Sequence, residues 1–135
     1  MKTRIWDPLH ECMEREQMRA LQLRRLQEMV ARVYALVPFY HDKMKAMGVK
    51  PEDIQKLEDI QYLPFTTKQD LRDTYPDGLF AADRTDMVRI HSSSGTTGKP
   101  VVIGYTRKDL DVWSECMARA LSMAGVDQSS VVQVA

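Results

Sequence analysis

The stretch Ser92-Ser93-Ser94-Gly95-Thr96-Thr97-Gly98-Lys99-Pro100 concentrates hydroxyl groups, glycines and one lysine between two apolar runs of β type. Gly95 and Gly98 allow the backbone to adopt positive φ, so that successive N–H groups can form a concave set of donors around an anion. The serine and threonine hydroxyls add uncharged donors, and Lys99 supplies one cation. The stretch therefore predicts a loop that binds phosphate.

Three other loop types that bind phosphate or nucleic acid do not fit. The nucleoside-triphosphatase loop, G-x-x-x-x-G-K-[ST], separates its glycines more widely than Gly95 and Gly98 are separated here, and Pro100 follows the lysine. The dinucleotide loop leads into a helix, whereas Val101–Tyr105 reads as a strand. The G-x-x-G loop of KH domains lies between helices in a basic module, and this segment is neither helical nor basic. A plain surface turn of Ser, Gly and Thr remains the structural alternative.

The residues on both sides of this stretch predict how it is held. Met87–His91 alternates as a strand, and Pro100–Tyr105 reads as the return strand, so the loop joins a β-pair. Such closure keeps the N–H groups oriented before a ligand arrives and lowers the ordering cost of binding. His91, directly before the loop, could hydrogen-bond a loop group or a substrate carboxylate, although a strand histidine satisfied by a neighbour is the favoured interpretation.

A helix and a further strand are predicted after the hairpin. Thr106 and Asp109 form a capping pattern, and Gly125 ends the helix. The predicted buried stripe of this helix consists of Leu110, Trp113, Cys116, Met117, Ala120, Leu121 and Ala124. Val131–Ala135 reads as a third strand, so strand, helix and strand predict a right-handed crossover into a mixed or mostly parallel sheet.

Before residue 80 the apolar residues follow helical spacing. The first amphipathic helix is predicted over residues 14–37, with the stripe Met18, Leu21, Leu26, Met29, Val30, Val33 and Leu36/Val37. Pro38 ends it, a second helix runs from Phe39 to Met47 and is closed by Gly48, and a third lies around Glu52–Leu57. We assign Tyr34, Phe39 and Tyr40 to the core of this helical hairpin rather than to an aryl-acid pocket.

One more helix is expected before the sheet. Thr67 and Asp70 form a capping box, the helix runs through Leu71 to Tyr75, and the turn Pro76-Asp77-Gly78 ends it. The predicted fold class is α/β: a helical lead over residues 1–80, followed by a segment over residues 81–135 that carries the phosphate loop.

Composition limits the partners. The chain has 135 residues, 44% hydrophobic and 28% charged, with nineteen basic and nineteen acidic residues. Zero net charge gives no electrostatic reason to expect nucleic acid or an anionic membrane as partner. Cys12 and Cys116 are far apart, as free thiols in a reducing compartment are, and no apolar segment follows Lys2 and Arg4. We expect a cytosolic protein.

The order of residues from Ser93 to Pro100 resembles the phosphate loop of acyl-adenylate-forming enzymes, [ST]-[SG]-G-T-T-G-x-P. The resemblance extends over most of the chain, through Trp6-Asp7-Pro8, the run Arg32–Tyr40, Leu63–Lys68 and Arg89–His91. Within that family these segments are similar to the N-terminal part of the phenylacetate–coenzyme A ligases, whose name implies a role in phenylacetate catabolism.

The resemblance implies a ligase that activates a carboxylate with ATP as an acyl adenylate and then transfers the acyl group to coenzyme A. Because in-line displacement at a phosphate needs charge stabilisation, it also implies Mg²⁺. The implied contacts to the ATP phosphates are Ser93, Ser94, Gly95, Thr96, Thr97, Gly98 and Lys99. The acid pocket, the ribose and metal contacts and the catalytic lysine would lie beyond Ala135, so no catalytic or metal-binding residue is assigned here.

Two other functions stay open at this point. One is a stand-alone phosphate- or nucleotide-binding module with the helical lead as a partner surface. The other is an RNA-binding protein that uses Gly95 and Gly98, which zero net charge and the strand context disfavour. A homodimer is the assembly we keep open for the ligase, and neither nucleic acid nor a membrane is an expected partner.

Overall fold

The computed structural model describes residues 5–93 and 100–133. Five α-helices and one β-hairpin follow each other along the chain, with short 3-10 segments between them. In order, they are α1 (Pro8–Glu11), α2 (Arg15–Leu36), α3 (Pro38–Ala46), 3-10 segments at Pro51–Asp53 and Leu57–Tyr62, α4 (Lys68–Asp73), a 3-10 segment at Arg84–Asp86, β1 (Met87–Ser92), β2 (Val102–Thr106) and α5 (Arg107–Met123). The predicted α/β class, helical first and β/α afterwards, is confirmed.

The buried core of the described residues lies within the helical part. Val30, Met44 and Ile54 form a buried cluster, and Leu26, Tyr34, Val49 and Leu63 pack against it. The Gln27 side chain donates a hydrogen bond to the Ile54 carbonyl at 2.8 Å, so α2 is tied to the irregular segment that follows α3. Tyr34 therefore packs at the core, as the sequence predicts.

Helix α2 buries a narrower stripe than the predicted one. Val30 is buried and so is Val37 at the C-terminal cap, whereas Met29 is 57% and Leu36 is 55% exposed. Each residue turns the helix by about 100°, so Met29 and Leu36 lie one step around from the line formed by Val30 and Val37. The prediction that all seven positions share one buried face was therefore too broad.

The third predicted helix is a pair of 3-10 segments. Asp59, which is 5% exposed, accepts hydrogen bonds from the N–H groups of Gln55 and Lys56, both at 2.9 Å. This carboxylate satisfies two backbone donors at the start of the second segment, where a helix would leave them unpaired. The predicted α-helix over Glu52–Leu57 was wrong, because Ile54 adopts an extended conformation in the middle of it.

Two capping predictions are confirmed in detail. Thr67 and Asp70 form a capping box at α4, and Thr106 and Asp109 form one at α5. In both, the threonine hydroxyl accepts the N–H of the aspartate, and the aspartate accepts the N–H of the threonine. Helix α4 ends at Asp73, two residues before the predicted Tyr75. Gly125 has φ of 88°, as expected of a glycine that ends a helix.

Strands β1 and β2 form a two-stranded antiparallel sheet. Arg89 pairs with Tyr105, His91 with Ile103 and Ser92 with Val102, and a bulge lies between Met87 and Arg89. The β-pair that the sequence predicts is therefore present.

The predicted crossover to a third strand is absent from the part of the chain that the structure describes. Residues 131–133 have no strand conformation, and Val134 and Ala135 lie outside the described residues. Val131 is 100% and Val132 is 58% exposed. The sheet of the described residues is the antiparallel pair β1–β2. The parallel part of the predicted mixed or mostly parallel sheet involves Val134 and Ala135, which lie outside the described residues, and stays a prediction.

Helix α5 packs on β2 but buries none of its residues fully. Trp113 is 40%, Met117 is 47% and Leu121 is 39% exposed, and Cys116 is exposed. The predicted stripe thus exists as a face, but a hairpin of two strands is too narrow to cover it. Among the described residues, no helix is long and apolar enough to cross a membrane.

Candidate functional site

Ser93 is the predicted phosphate-binding residue that the structure describes. The other six, Ser94, Gly95, Thr96, Thr97, Gly98 and Lys99, lie outside the described residues. The phosphate contacts of these seven residues therefore stay a prediction. The structure does describe the segments on either side of this stretch, which are β1 with Ser93 and Val101 with β2.

Ser93 and Val101 close the hairpin beyond its last regular pair. The N–H of Ser93 donates to the carbonyl of Val101, and the N–H of Val101 donates to the hydroxyl oxygen of Ser93, both at 3.0 Å. The hydroxyl oxygen accepts in this second bond, and a hydroxyl group can also donate its hydrogen. Ser93 thus pairs with Val101 at the mouth of the loop through both its backbone and its side chain.

Three rings meet on the face of the hairpin that turns toward α5. His91 lies edge-on to Tyr105 with ring centroids 5.1 Å apart, and edge-on to Trp113 at 5.7 Å. Tyr105 stacks on Trp113 at 5.4 Å with the ring planes 20° apart. We call His91, Tyr105 and Trp113 the ring cluster. The favoured prediction for His91, a strand histidine in contact with its neighbours, fits this packing.

Sequence spacing alone does not bring these three residues together, because Trp113 reads as part of the α5 stripe and His91 as a single strand residue. A signal did exist: in an antiparallel pair that joins Arg89 to Tyr105, His91 and Tyr105 fall on the same face. The N-cap at Thr106 then sets the start of α5, which places Trp113 two turns into the helix.

The other face of the hairpin covers an apolar cleft of about 250 Å³. Its lining includes Phe80, Met87, Ile90 and Val102. Gly104 allows close approach there, because a Cβ on it would lie 2.7 Å from Met87 Sδ and 2.7 Å from the Phe80 ring. This face therefore packs β2 against the segment that leads into β1.

A more open cleft of about 410 Å³ lies between β1 and α5. Arg89 and Arg107 stand at its polar side, and Trp113 and Met117 form part of its apolar side. Asp111 also lines this cleft, so it combines both signs of charge. Among the described residues, no group of three or more His, Cys, Asp or Glu side chains is placed to hold a metal ion.

The N-terminal segment is joined to α5 by two side-chain contacts. Arg119 donates to Asp7 at 2.8 Å, and the Trp6 indole N–H donates to Glu115 at 2.9 Å. The hydrogen bond with the His10 side chain, 2.5 Å from Asp7, lowers the pKa of the Asp7 carboxyl, and the charge of Arg119 contributes in the same direction. The motif Trp6-Asp7-Pro8 thus holds the helix that carries Trp113.

Several proteins of known function are similar in sequence to this chain. The chain is 51% identical over 121 residues to the phenylacetate-coenzyme A ligase of Thermus thermophilus, and 46% identical over 129 residues to that of Escherichia coli. These matches cover 90% and 96% of this chain. The chain spans only 27% and 29% of the length of these two relatives. No protein-family model matches the chain.

Solved structures agree with the sequence relatives. The chain superposes on a 2-hydroxyisobutyryl-CoA ligase in complex with 2-HIB-AMP and CoA, with a TM-score of 0.82 and 28% identity. A postadenylation state of the same ligase with 2-HIB-AMP gives a TM-score of 0.81 and 26% identity. The superpositions cover 90% and 93% of this chain and 27% of each solved chain.

Over about 90% of its length, the chain is therefore similar to one portion of coenzyme A ligases that are known with an acyl-AMP ligand. The particular family that its sequence matches is phenylacetate–coenzyme A ligase, and the match fits an N-terminal portion of that enzyme.

Proposed function

We propose that the chain is the N-terminal part of the adenylation domain of a phenylacetate–coenzyme A ligase. The whole enzyme activates phenylacetate, or a close aryl acid, with ATP to give an acyl adenylate and pyrophosphate. It then transfers the acyl group to the thiol of coenzyme A and releases AMP. The observation that carries this proposal is the 42–51% identity to four phenylacetate-coenzyme A ligases over 89–96% of the chain.

Within this function, Ser93 to Lys99 would bind the phosphates of ATP. The hairpin supports this role, because two hydrogen bonds between Ser93 and Val101 hold the two ends of this stretch together. Lys99 would stabilise the negative charge that develops as the α-phosphate is attacked. Mg²⁺ would neutralise the remaining phosphate charge. In the part of the chain that the structure describes, no group of three or more His, Cys, Asp or Glu side chains is placed to hold it.

The remaining partners follow from the same reaction. The substrates are an aryl acid, ATP and coenzyme A, and neither nucleic acid nor a membrane takes part. We keep a homodimer as the assembly and the cytosol as the location, since Cys12 and Cys116 are both free.

The test replaces the matched portion of the Thermus thermophilus relative with this chain and measures formation of phenylacetyl-coenzyme A from phenylacetate, MgATP and coenzyme A. In this chimaera Lys99→Ala should lower kcat/KM for ATP by about a hundredfold or more, because a cation at a phosphoryl centre stabilises the transition state. Thermal stability should stay unchanged, since a single loop cation contributes little to folding.

Lys108→Ala is the matched control, because Lys108 is an exposed lysine on the first turn of α5 and lies outside the loop. It should leave kcat/KM for ATP at the unmodified value. An unmodified chimaera that forms no thioester would contradict the proposed function. An unchanged kcat/KM for ATP after Lys99→Ala would exclude Lys99 from phosphate contact.

A further inference from the structure

We infer that His91, Tyr105 and Trp113 are positioning residues for the phosphate loop, acting through the two arms of the hairpin. The inference rests on the proposed function, since it assumes that the loop binds ATP. The positioning role goes beyond the proposed function, because none of the three residues belongs to the loop, and it differs from the direct hydrogen bond to a loop group or substrate considered for His91 above.

The rings of His91 and Tyr105 lie on the strands close to Ser93 and Val101, which pair at the mouth of the loop. His91 lies two residues before Ser93 on β1, and Tyr105 lies four residues after Val101 on β2. Their rings touch diagonally across the strands at 5.1 Å. A diagonal contact resists shear of one strand along the other, and such shear would displace Ser93 relative to Val101.

Trp113 connects the hairpin to α5. Trp113 stacks on Tyr105 and meets the edge of His91, so one indole contacts both arms of the hairpin at once. Rings prefer offset-stacked or edge-to-face arrangements, so this contact fixes an orientation as well as a distance. An aliphatic side chain at residue 113 would fill space without this directional preference.

Among the described residues, this side of the sheet packs on α5 without a fully buried residue of that helix. The described sheet has two strands only. Two-stranded hairpins are marginal by themselves in water. The ring cluster is therefore a contact that ties both strands of the hairpin to α5.

Steady-state kinetics of the chimaera test the inference. Trp113→Leu should raise KM for ATP and lower kcat/KM for ATP by about tenfold or more, because displaced binding groups lose productive geometry. KM for phenylacetate and KM for coenzyme A should stay unchanged. Trp113→Phe keeps a ring on Tyr105 and should recover most of the loss.

Leu121→Ala is the matched control, because Leu121 lies two turns further along the same face of α5 and is 39% exposed, close to the 40% of Trp113. It should lower the thermal stability of the chimaera without changing KM for ATP. If Trp113→Leu does not fold, His91→Leu replaces an exposed ring and should still raise KM for ATP, by about threefold, since it removes both edge contacts but keeps the Tyr105–Trp113 stack.

The outcomes separate the two proposals. A chimaera that forms no thioester contradicts the proposed function itself. An active chimaera in which Trp113→Leu affects ATP no more than Leu121→Ala does would overturn only the positioning role. An equal rise in KM for all three substrates in Trp113→Leu would overturn the positioning role as well. So would a Trp113→Phe variant as impaired as Trp113→Leu.

Discussion

At the scale of single residues, Gly104 sets how closely β2 approaches the segment before β1. A Cβ at this position would lie 2.7 Å from Met87 Sδ and from the Phe80 ring, well inside van der Waals contact. Met87 can bend away through its flexible side chain, whereas the Phe80 ring has fewer rotamers. The close approach therefore depends on the ring of Phe80.

Replacing Gly104 with alanine should lower the free energy of unfolding of the chimaera by about 1–3 kcal/mol, as overpacking does in other cores. Urea denaturation followed by circular dichroism measures the change. The companion is a double variant with Phe80→Leu, which removes the ring atoms nearest the new methyl group. A penalty for Gly104→Ala that is just as large in the Phe80→Leu background would show that the ring is not the source of the clash.

Ser93 illustrates a residue whose role is only partly visible in the sequence. Its place in the loop pattern predicts a phosphate contact, and the structure adds that its hydroxyl oxygen accepts the N–H of Val101. Sequence spacing does not reveal this bond, because it depends on where the return strand rejoins the first. The Ser93 side chain therefore belongs to the predicted phosphate-binding pattern and also helps to close the hairpin.

At the scale of elements, carboxylates that cap helices make the fold sensitive to acid. Backbone and side-chain hydrogen bonds from Thr67 hold the pKa of Asp70 below its ordinary value, and Lys43 adds to this. The hydrogen bond with His10 acts in the same direction on Asp7. A carboxyl whose pKa is lower in the folded state contributes stability above its unfolded pKa, and this contribution is lost as the pH falls through the folded value.

We therefore expect the midpoint of urea denaturation of the chimaera to fall as the pH drops below about 4, where an unfolded aspartate takes up its proton. Asp70→Asn should reduce this dependence on pH, because asparagine does not titrate. Asp73→Asn is the control, since Asp73 is exposed at the end of α4. A slope that Asp70→Asn leaves unaltered would assign the acid sensitivity to other carboxyls.

Capping patterns and helix ends were the elements that the sequence predicted best. Thr67 with Asp70, Thr106 with Asp109 and the stop at Pro38 depend on neighbours within a few residues, so local chemistry decides them. The segment after α3 was predicted less well. There the buried Asp59 and Ile54 stabilise 3-10 turns against α2, and this depends on residues far away in the chain.

At the scale of the whole molecule, much apolar surface is uncovered. Ile90 is 64%, Val88 is 49% and Ile103 is 46% exposed on the hairpin, in addition to the open face of α5. The chain spans 27% of the length of its Thermus relative, so in a protein of that length other segments could bury this surface. Sequence periodicity locates such faces well, but it cannot say how much of each face the same 135 residues will cover.

The isolated chain should therefore be marginally folded, prone to association and unable to form a thioester. It should bind MgATP only weakly, because one loop acts without the adenine pocket and the metal ligands. Calorimetric titration of the purified chain with MgATP, beside a thioester assay with phenylacetate and coenzyme A, measures both properties. The chimaera serves as the positive control, and tight ATP binding together with thioester formation by the chain alone would refute this expectation.

The contacts of Trp6 and Asp7 with Glu115 and Arg119 join positions more than a hundred residues apart. During synthesis the helical hairpin of α2 and α3 can form early, since its partners are neighbours in sequence. Trp6 and Asp7 have to wait until α5 has left the ribosome. Trp6 and Asp7 precede all five α-helices that the structure describes and are thus among the last residues of this chain to reach their partners, so α5 gains their support only when nearly all of this chain has been made.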